Sequence, residues 1–301
     1  MPAMTDALTF GAKRESLAGH AAMLLFVALI SGSFSLGGRA APFIDPAALT
    51  AARFALAAAV LGALAASTMK RAHFRAPWRH LALGGLVAFY FIMMFEALLL
   101  TDPVSTGAVF TLTPIMSAGF GWLLMRQVTT GRMAAALALA GLGALWVIFR
   151  GDLEAFLALR IGRGEWLFLI GCAAHALYTP LGRKLNRGEP LASYTFGALV
   201  AGALVAGIWG APEIAATDWL ALPPVVWAAL LYLAVATTAV TIFLVQYATL
   251  RLPSAKVMAY GYLLPSFVIL WEGLFGGDWA APAVWFGAAV TAAALLLLLK
   301  D

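Results

Sequence analysis

The sequence predicts an all-α membrane protein whose ten transmembrane helices form an inverted five-plus-five repeat around a central cavity. Three observations support this prediction: an apolar composition, ten apolar stretches of membrane-spanning length, and prolines at matching places in the two halves. Of the 301 residues, 63% are hydrophobic and only 11% are charged, and the mean hydropathy is +0.93. Soluble domains carry about 25% charged residues, so a soluble fold is excluded.

Ten apolar stretches provide the candidate transmembrane helices, since a helix needs about 20 apolar residues to cross the bilayer core. Their connections are short and leave no room for a separate soluble domain. The first stretch follows Lys13 and Arg14 and also fits a signal peptide, but the nine stretches behind it favour a transmembrane helix. The ten stretches are 18–38, 46–68, 80–100, 104–125, 133–149, 166–182, 190–209, 225–250, 256–276 and 281–299.

Lysine and arginine are unevenly divided between alternate connections. Fourteen lie on the side of the N-terminus and four on the other side. Because basic connections stay in the cytoplasm, both termini are predicted to be cytoplasmic and the protein to reside in the inner membrane of a bacterium. The fourteen are Lys13, Arg14, Lys70, Arg71, Arg75, Arg79, Arg126, Arg132, Arg183, Lys184, Arg187, Arg251, Lys256 and Lys300, and the four are Arg39, Arg150, Arg160 and Arg163.

The two halves of the chain match in their hydropathy layout. Sliding the chain by 151 residues superposes 97–116 on 248–267 and brings Pro114 onto Pro265. Each half has five stretches, an odd number, so the second half enters the membrane upside down. Inverted repeats with interrupted helices at matching positions are typical of transporters with a binding site between the repeats. Pro114 and Pro265 are therefore predicted hinges in the fourth and ninth helices.

This repeat divides the chain into four parts. We predict an N-terminal tail at 1–17, a first five-helix repeat at 18–150, a periplasmic connection at 151–165 and a second repeat at 166–301. A rocking motion of one half against the other is the expected source of alternating access.

Several short motifs resemble the drug/metabolite transporter superfamily with two EamA-type repeats. They are SGSF at 31–34, Arg53 early in the second stretch, and the proline in the fourth and ninth. Glu96, LIGCAAHALYTPLGRK at 169–184 and MAYGYLLP at 258–265 are similar to aromatic amino acid exporters of the YddG type. The resemblance covers nearly the whole chain and implies outward movement of small metabolites.

The chain departs from this superfamily in one respect. Many members carry Gly-Glu where each proline-containing helix ends, whereas this chain has Arg126-Gln127 and Gly277-Asp278. A charged gate at those two places is therefore not carried over.

Ionisable residues inside the membrane are few, and each is a candidate functional residue. Arg53 and Glu96 lie at nearly the same depth, about seven and five residues from the outer ends of their helices. Three interpretations are open. The two residues form a structural ion pair, Arg53 extends to the outer surface, or Arg53 binds a substrate carboxylate. In the last case Glu96 faces the substrate amino group or holds the arginine.

Glu272 lies near the outer end of the ninth stretch. If it shares a cavity with Glu96, two carboxylates surround one arginine, and this arrangement suits a zwitterion or cation better than a phosphorylated sugar. The alternative is an interfacial residue exposed to water.

His175 lies in the middle of the sixth stretch. Tyr178 shares its face at helical spacing, together with Gly171 and Gly182. The following Pro180 frees a backbone carbonyl, which favours a cavity at this face. His175 and Tyr178 are therefore candidate cavity residues, and a hydrogen-bonded packing histidine is the alternative.

Aromatic residues recur on one face of the ninth stretch and one face of the third. If these faces meet, the cavity has aromatic and thioether walls that suit apolar amino acid side chains; the alternative is a lipid-facing or packed stripe. The residues are Lys256, Tyr260, Phe267 and Trp271 in the ninth stretch and Phe89, Tyr90, Met93 and Glu96 in the third.

Enzyme and metal motifs are absent from the sequence. There is no glycine-rich phosphate loop, HExxH or GxSxG motif, and Cys172, the only cysteine, pairs with His175 without a third ligand. We predict neither catalysis nor a cofactor. The basic residues lie in short clusters rather than along one face, so nucleic-acid binding is not expected.

The expected function is export of small zwitterionic metabolites, most simply neutral or aromatic amino acids, by alternating access. The expected partners are the substrate and the lipid bilayer, with the protein as a monomer or weak homodimer. The alternatives are a transporter of another metabolite or an organic cation, and, in a different class, an assembly subunit or a membrane enzyme. Proton coupling through Glu96 or Glu272 stays open.

Overall fold

The computed structural model describes residues 2–128, 130–157, 161–249, 251–252, 257, 259–277 and 279–299. Side chains are described from residue 15 onward, except at 156, 239, 246, 249, 298 and 299. Within the predictions above, Arg160, Lys256, Asp278 and Lys300 lie outside the described residues.

The described residues form ten membrane helices and no β-strand, as predicted. Seven of them, α1 to α5, α7 and α8, are each long and apolar enough to cross a membrane. Residues 2–17, the predicted tail, are helical and continuous with α1. The helices are α1 Pro2–Ala40, α2 Pro46–Ala65, α3 Pro77–Leu98, α4 Pro103–Met125, α5 Gly131–Ile148, α6 Arg163–Leu185, α7 Leu191–Trp209, α8 Pro224–Leu231 continuing through Tyr232–Val240 to Thr241–Thr249, α9 Tyr260–Leu263 continuing as Leu264–Leu274, and α10 Pro282–Leu299.

Side-chain caps set the starts of α2 and α4. Asp45 accepts hydrogen bonds from the backbone N–H groups of Ala47 and Ala48 at the start of α2, and Asp102 accepts one from Ser105 at the start of α4. Both caps precede a proline, which fits the first turn because its missing N–H would be unpaired there. These short caps keep the connections tight.

Helices α4 and α9 are interrupted near the two matched prolines. The α-helical path of α4 breaks between Phe110 and Thr113, and Pro114 lies in the first turn of the second segment. In α9, a 3₁₀ turn at Tyr260–Leu263 separates the helical residues Val257 and Ala259 from the α-helix that starts at Leu264, followed directly by Pro265. The interruptions agree with the predicted positions, because proline removes a helical hydrogen bond and crowds the preceding turn.

Helix α8 contains an unpredicted π-helix from Tyr232 to Val240. The hydroxyl of Thr237 donates to the Leu233 carbonyl at 2.7 Å, and that of Thr241 donates to the Thr237 carbonyl at 2.9 Å. Hydroxyl groups thus supplement the altered backbone pairing inside the membrane, where water does not supply partners.

The helix packing is two-fold symmetric. Helix α3 packs against α6 and α7 as α8 packs against α1 and α2, and α4 packs against α6 as α9 packs against α1. Three further contacts join a helix to its counterpart in the other repeat, five helices along. They are α2–α7, α4–α9 and α5–α10. This pattern confirms the inverted five-plus-five repeat.

The two sequence halves interleave rather than forming separate bodies. Most of the closest packing joins a helix of the first half to one of the second. Rocking one sequence half against the other would have to break this packing. The contacts instead define two mixed groups, α1 with α8 and α9, and α3 with α4 and α6.

One buried ion pair fixes the connection between α6 and α7. Arg79, at the start of α3, donates to Glu189 Oε1 at 2.5 Å and to the Leu185 carbonyl at 2.7 Å. Hydrogen bonding from the Arg79 guanidinium lowers the pKa of Glu189 to about 2. This connection lies on the face with the α2–α3, α4–α5 and α8–α9 connections, here called the basic face; the other is the opposite face.

Candidate functional site

A cavity of about 290 Å³ lies between the two mixed helix groups. Helices of both repeats contribute to it, which confirms the predicted central cavity. Its wall combines aromatic rings, aliphatic side chains, hydroxyl groups and one arginine. The lining residues are Met23, Phe26, Ile30, Ser33, Phe34, Arg53, Tyr90, Phe91, Phe110, Thr113, Pro114, Ser117, His175, Thr179, Thr237, Thr241, Val245, Val257, Gly261 and Leu264.

Arg53 of α2 is the charged residue in this wall and is only 2% exposed. Its Nη2 donates to Thr237 Oγ1 at 3.1 Å, and its guanidinium carbon lies 3.8 Å from the centroid of the Phe91 ring. The Nε and Nη1 atoms are buried and have no hydrogen-bond partner among the described residues. Two donors of a buried cation are therefore available to a ligand.

The π-helix of α8 helps to position this arginine. Thr237 lies in the middle of this π-helix. Its hydroxyl accepts a hydrogen bond from Arg53 and donates one to the Leu233 carbonyl. π-Helical turns often occur at functional sites, because the wider turn redirects side chains. Regular α-helical spacing does not predict that the Thr237 side chain points towards Arg53.

Aromatic rings form a second side of the cavity. The ring centroid of His175 lies 4.6 Å from that of Tyr90 and 5.4 Å from that of Phe110. Tyr178 stacks on His175 at 6.2 Å and packs outward against Leu83 and its neighbours. The predicted residues Tyr90 and His175 thus line the cavity together, and Tyr178 supports His175 from behind.

A layer of phenylalanines closes the cavity towards the opposite face. The ring centroid of Phe34 lies 6.1 Å from that of Phe110 and 6.0 Å from that of Phe168, and Phe168 lies 5.6 Å from Tyr90. Phe34 and Phe168 lie near the ends of α1 and α6 that reach the opposite face, and both are buried. The cavity extends from this layer towards the basic face.

Glu96 does not pair with Arg53. It is half-buried near the end of α3 and makes no ion pair with the described residues. Glu96 follows Phe91 by five residues, which turns it about 140° around the helix at 3.6 residues per turn. Since Phe91 faces Arg53, Glu96 points elsewhere.

Glu272 pairs with a different arginine. Its Oε1 lies 3.0 Å from Arg39 Nη1, and Arg39 also lies over the ring of Phe275 at 4.7 Å. Glu272 lines a second cavity of about 460 Å³, together with the Asp102–Arg150 ion pair. The predicted arrangement of Glu96 and Glu272 around Arg53 is therefore not formed.

Three predicted aromatic residues pack helices together instead of lining the central cavity. Trp271 Nε1 donates to the Ala28 carbonyl at 2.8 Å, the Tyr260 hydroxyl lies 2.6 Å from His20 Nδ1, and Phe89 contacts Trp209. Tyr260 opens the 3₁₀ turn of α9, whose three residues per turn shift the predicted helical face.

The sequence reasoning missed the residues that surround Arg53. Phe91 adjoins the predicted Tyr90, and Thr237 begins the pair Thr237-Thr238 in a mostly apolar helix. Two adjacent hydroxyl residues in the middle of a membrane span were the available signal, because polar groups there are costly.

Ten membrane helices in an inverted repeat, enclosing a cavity with one buried arginine, define a membrane transporter rather than an enzyme. Comparison with protein families specifies the class further. The model of the EamA-like transporter family matches residues 17–149 and 162–300. The chain therefore belongs to the EamA-like transporter family and carries two EamA repeats.

Two relatives resemble this chain over most of its length. An uncharacterized transporter of Bacillus subtilis, YyaM, is 28% identical over 225 residues, covering 72% of each chain. An uncharacterized transporter of Archaeoglobus fulgidus is 27% identical over 261 residues, covering 83% of this chain and 86% of its own. A solved crystal structure shares the fold, with a TM-score of 0.66, 20% identity, and coverage of 95% of this chain and 97% of that one.

Proposed function

We propose that this transporter exports small zwitterionic metabolites, most simply neutral or aromatic amino acids, across the inner membrane of a bacterium by alternating access. The observation that carries the proposal is Arg53, buried in the cavity wall with two unused donors. A guanidinium receives a carboxylate through parallel charge-assisted hydrogen bonds.

The remaining cavity wall suits an apolar or aromatic side chain. Tyr90, Phe110 and His175 offer ring faces, and aromatic rings gain stacking energy beyond their buried area. A volume of about 290 Å³ lies just below the range of about 300–1,000 Å³ for ligand sites. This size favours a single amino acid over a larger solute.

The charge distribution supports an orientation with the basic face in the cytoplasm. In this orientation the cavity extends towards the cytoplasm and the phenylalanine layer closes the periplasmic side. Transport then requires the group of α1, α8 and α9 to move against the group of α3, α4 and α6, with bending at Pro114 and Pro265. The outward direction rests on the resemblance to aromatic amino acid exporters.

The test is flux of labelled phenylalanine, threonine and methionine in proteoliposomes. We expect flux with wild-type protein, a large loss with Arg53→Met, and no change with Arg75→Met, a matched substitution at an exposed arginine of the basic face. Absence of flux for every amino acid refutes the proposal. A labelled organic cation tests the main rival, which the positive charge of Arg53 disfavours.

A further inference from the structure

The described lining of the central cavity contains one charged side chain, Arg53. Its other ionisable members are the aromatic Tyr90 and His175, and no aspartate or glutamate belongs to it. The nearest predicted carboxylates lie elsewhere, with Glu272 held by Arg39 and Glu96 turned away from the arginine. The described lining therefore has one-sided polarity: it carries a positive charge and no negative one.

This one-sided polarity affects the two charged ends of an amino acid differently. The carboxylate meets the two unused donors of Arg53. The ammonium finds no carboxylate among the described lining residues; it is left with ring faces and the oxygens of neutral hydroxyls such as those of Ser33 and Thr241, whose protons are donated to the carbonyls of Ile30 and Thr237. Burying an ammonium without a carboxylate partner is costly, and the nearby guanidinium repels it.

We infer that the site selects apolar or aromatic monocarboxylates through the carboxylate alone, and that the α-amino group is not a recognition element. This inference rests on the proposed function and deepens it by defining the substrate class. The order of affinity follows: a monoanion binds more tightly than the zwitterion of the same shape, and a cation binds least.

The size of this preference follows from Coulomb's law. An ammonium about 6 Å from the guanidinium, at an effective dielectric constant of about 20, loses about a hundredfold in affinity. Cation–π contacts with the rings offset part of this loss. We therefore expect at least a tenfold difference at each step of the order.

Three probes share one phenylethyl body and differ only in the charged groups attached to it: 3-phenylpropionate carries a carboxylate, phenethylamine an ammonium and L-phenylalanine both. Each is tested at pH 7 as a competitor of labelled phenylalanine flux in proteoliposomes, and for its effect on the unfolding temperature of the purified protein. The expected half-inhibitory concentration of 3-phenylpropionate is at least tenfold below that of phenylalanine, and that of phenethylamine at least tenfold above. Equal or reversed potencies overturn the inference.

Two variants link the preference to Arg53. Arg53→Lys retains the charge and is expected to retain the order, whereas Arg53→Met is expected to remove the stabilisation by 3-phenylpropionate while remaining folded. Glu96→Gln, outside the cavity, is the control and is expected to leave the order unchanged. A larger preference for 3-phenylpropionate over phenylalanine in Glu96→Gln than in wild type would show that this carboxylate holds the ligand ammonium and would overturn the inference.

The two proposals fail in different ways. Stabilisation by 3-phenylpropionate without flux of any amino acid contradicts the proposed function and supports the monocarboxylate site. Amino acid flux that phenethylamine inhibits and 3-phenylpropionate does not inhibit supports the proposed function and contradicts the inference. If no probe binds or competes, both are wrong.

Discussion

Replacement of Arg53 by methionine separates a ligand-binding arginine from a structural one. Methionine has a similar length and fills the same apolar surroundings without a charge. We expect this variant to lose amino acid flux while its stability is unchanged or increased. A structural arginine predicts the reverse, since losing one partner of a buried ion pair costs about 3–5 kcal/mol.

The stability side of this prediction follows from the contacts of the guanidinium. Arg53→Met loses one hydrogen bond to Thr237, about 1.5–3 kcal/mol for a charged donor, and a contact with the Phe91 ring, about 0.5–2 kcal/mol. The variant also removes two costs. One is that of placing a cation in the membrane interior, about 2.5–3.5 kcal/mol; the other is that of two unpaired buried donors, about 1–3 kcal/mol each. The removed costs equal or exceed the lost contacts.

The transport side follows from the charge pair that the variant cannot form. A carboxylate about 4 Å from the guanidinium, at an effective dielectric constant of about 20, gains about 4 kcal/mol. Its loss corresponds to a decrease of roughly a thousandfold in kcat/KM. The assays are thermal unfolding in detergent and phenylalanine flux in proteoliposomes. A variant that unfolds at a much lower temperature and still transports phenylalanine refutes the reasoning.

Three further predictions concern the fold and its motions. Gly32→Val should lower both stability and flux, because a Cβ there would lie 2.4 Å from the Tyr232 hydroxyl, whereas Gly85→Val meets no atom within 4 Å and serves as its control. Pro114→Ala should slow flux but retain ligand-induced stabilisation, since it restores a backbone donor where α4 bends; unchanged flux would exclude a hinge role. The depressed pKa of Glu189, about 2 against 4.5, stabilises the fold fully above pH 4.5, and this stability is lost as pH falls towards 2. Glu189→Gln should abolish that part of the acid dependence in thermal unfolding scans, and a full acid dependence in the variant would contradict the assignment.

The fold was predictable because its determinants are local in the sequence. A bilayer imposes a fixed length on each apolar helix, so hydropathy alone indicated ten helices and their order. Proline interrupts a helix wherever it stands, so Pro114 and Pro265 indicated the breaks in α4 and α9. The odd number of helices in each half then required the inverted repeat.

The partners of the charged residues were not predictable in the same way. Arg53 contacts Thr237, which lies 184 residues further along the chain, and Glu272 contacts Arg39, 233 residues away. Which side of a membrane helix faces its neighbour depends on the rotation of each helix about its axis, and the hydropathy of an all-apolar helix does not encode that rotation.

The sequence by itself thus determined the class of protein, the ten helices, the repeat and the two breaks, because helix length and proline act locally. Only the tertiary structure decided the site. The π-helix of α8 and the 3₁₀ turn of α9 change the angle per residue, so they direct Thr237 towards Arg53 and turn Tyr260 into a packing contact. The orientations of α3 and α9 about their axes place Glu96 and Glu272 away from Arg53, so Arg53, without a carboxylate in the described cavity lining, defines the proposed ligand.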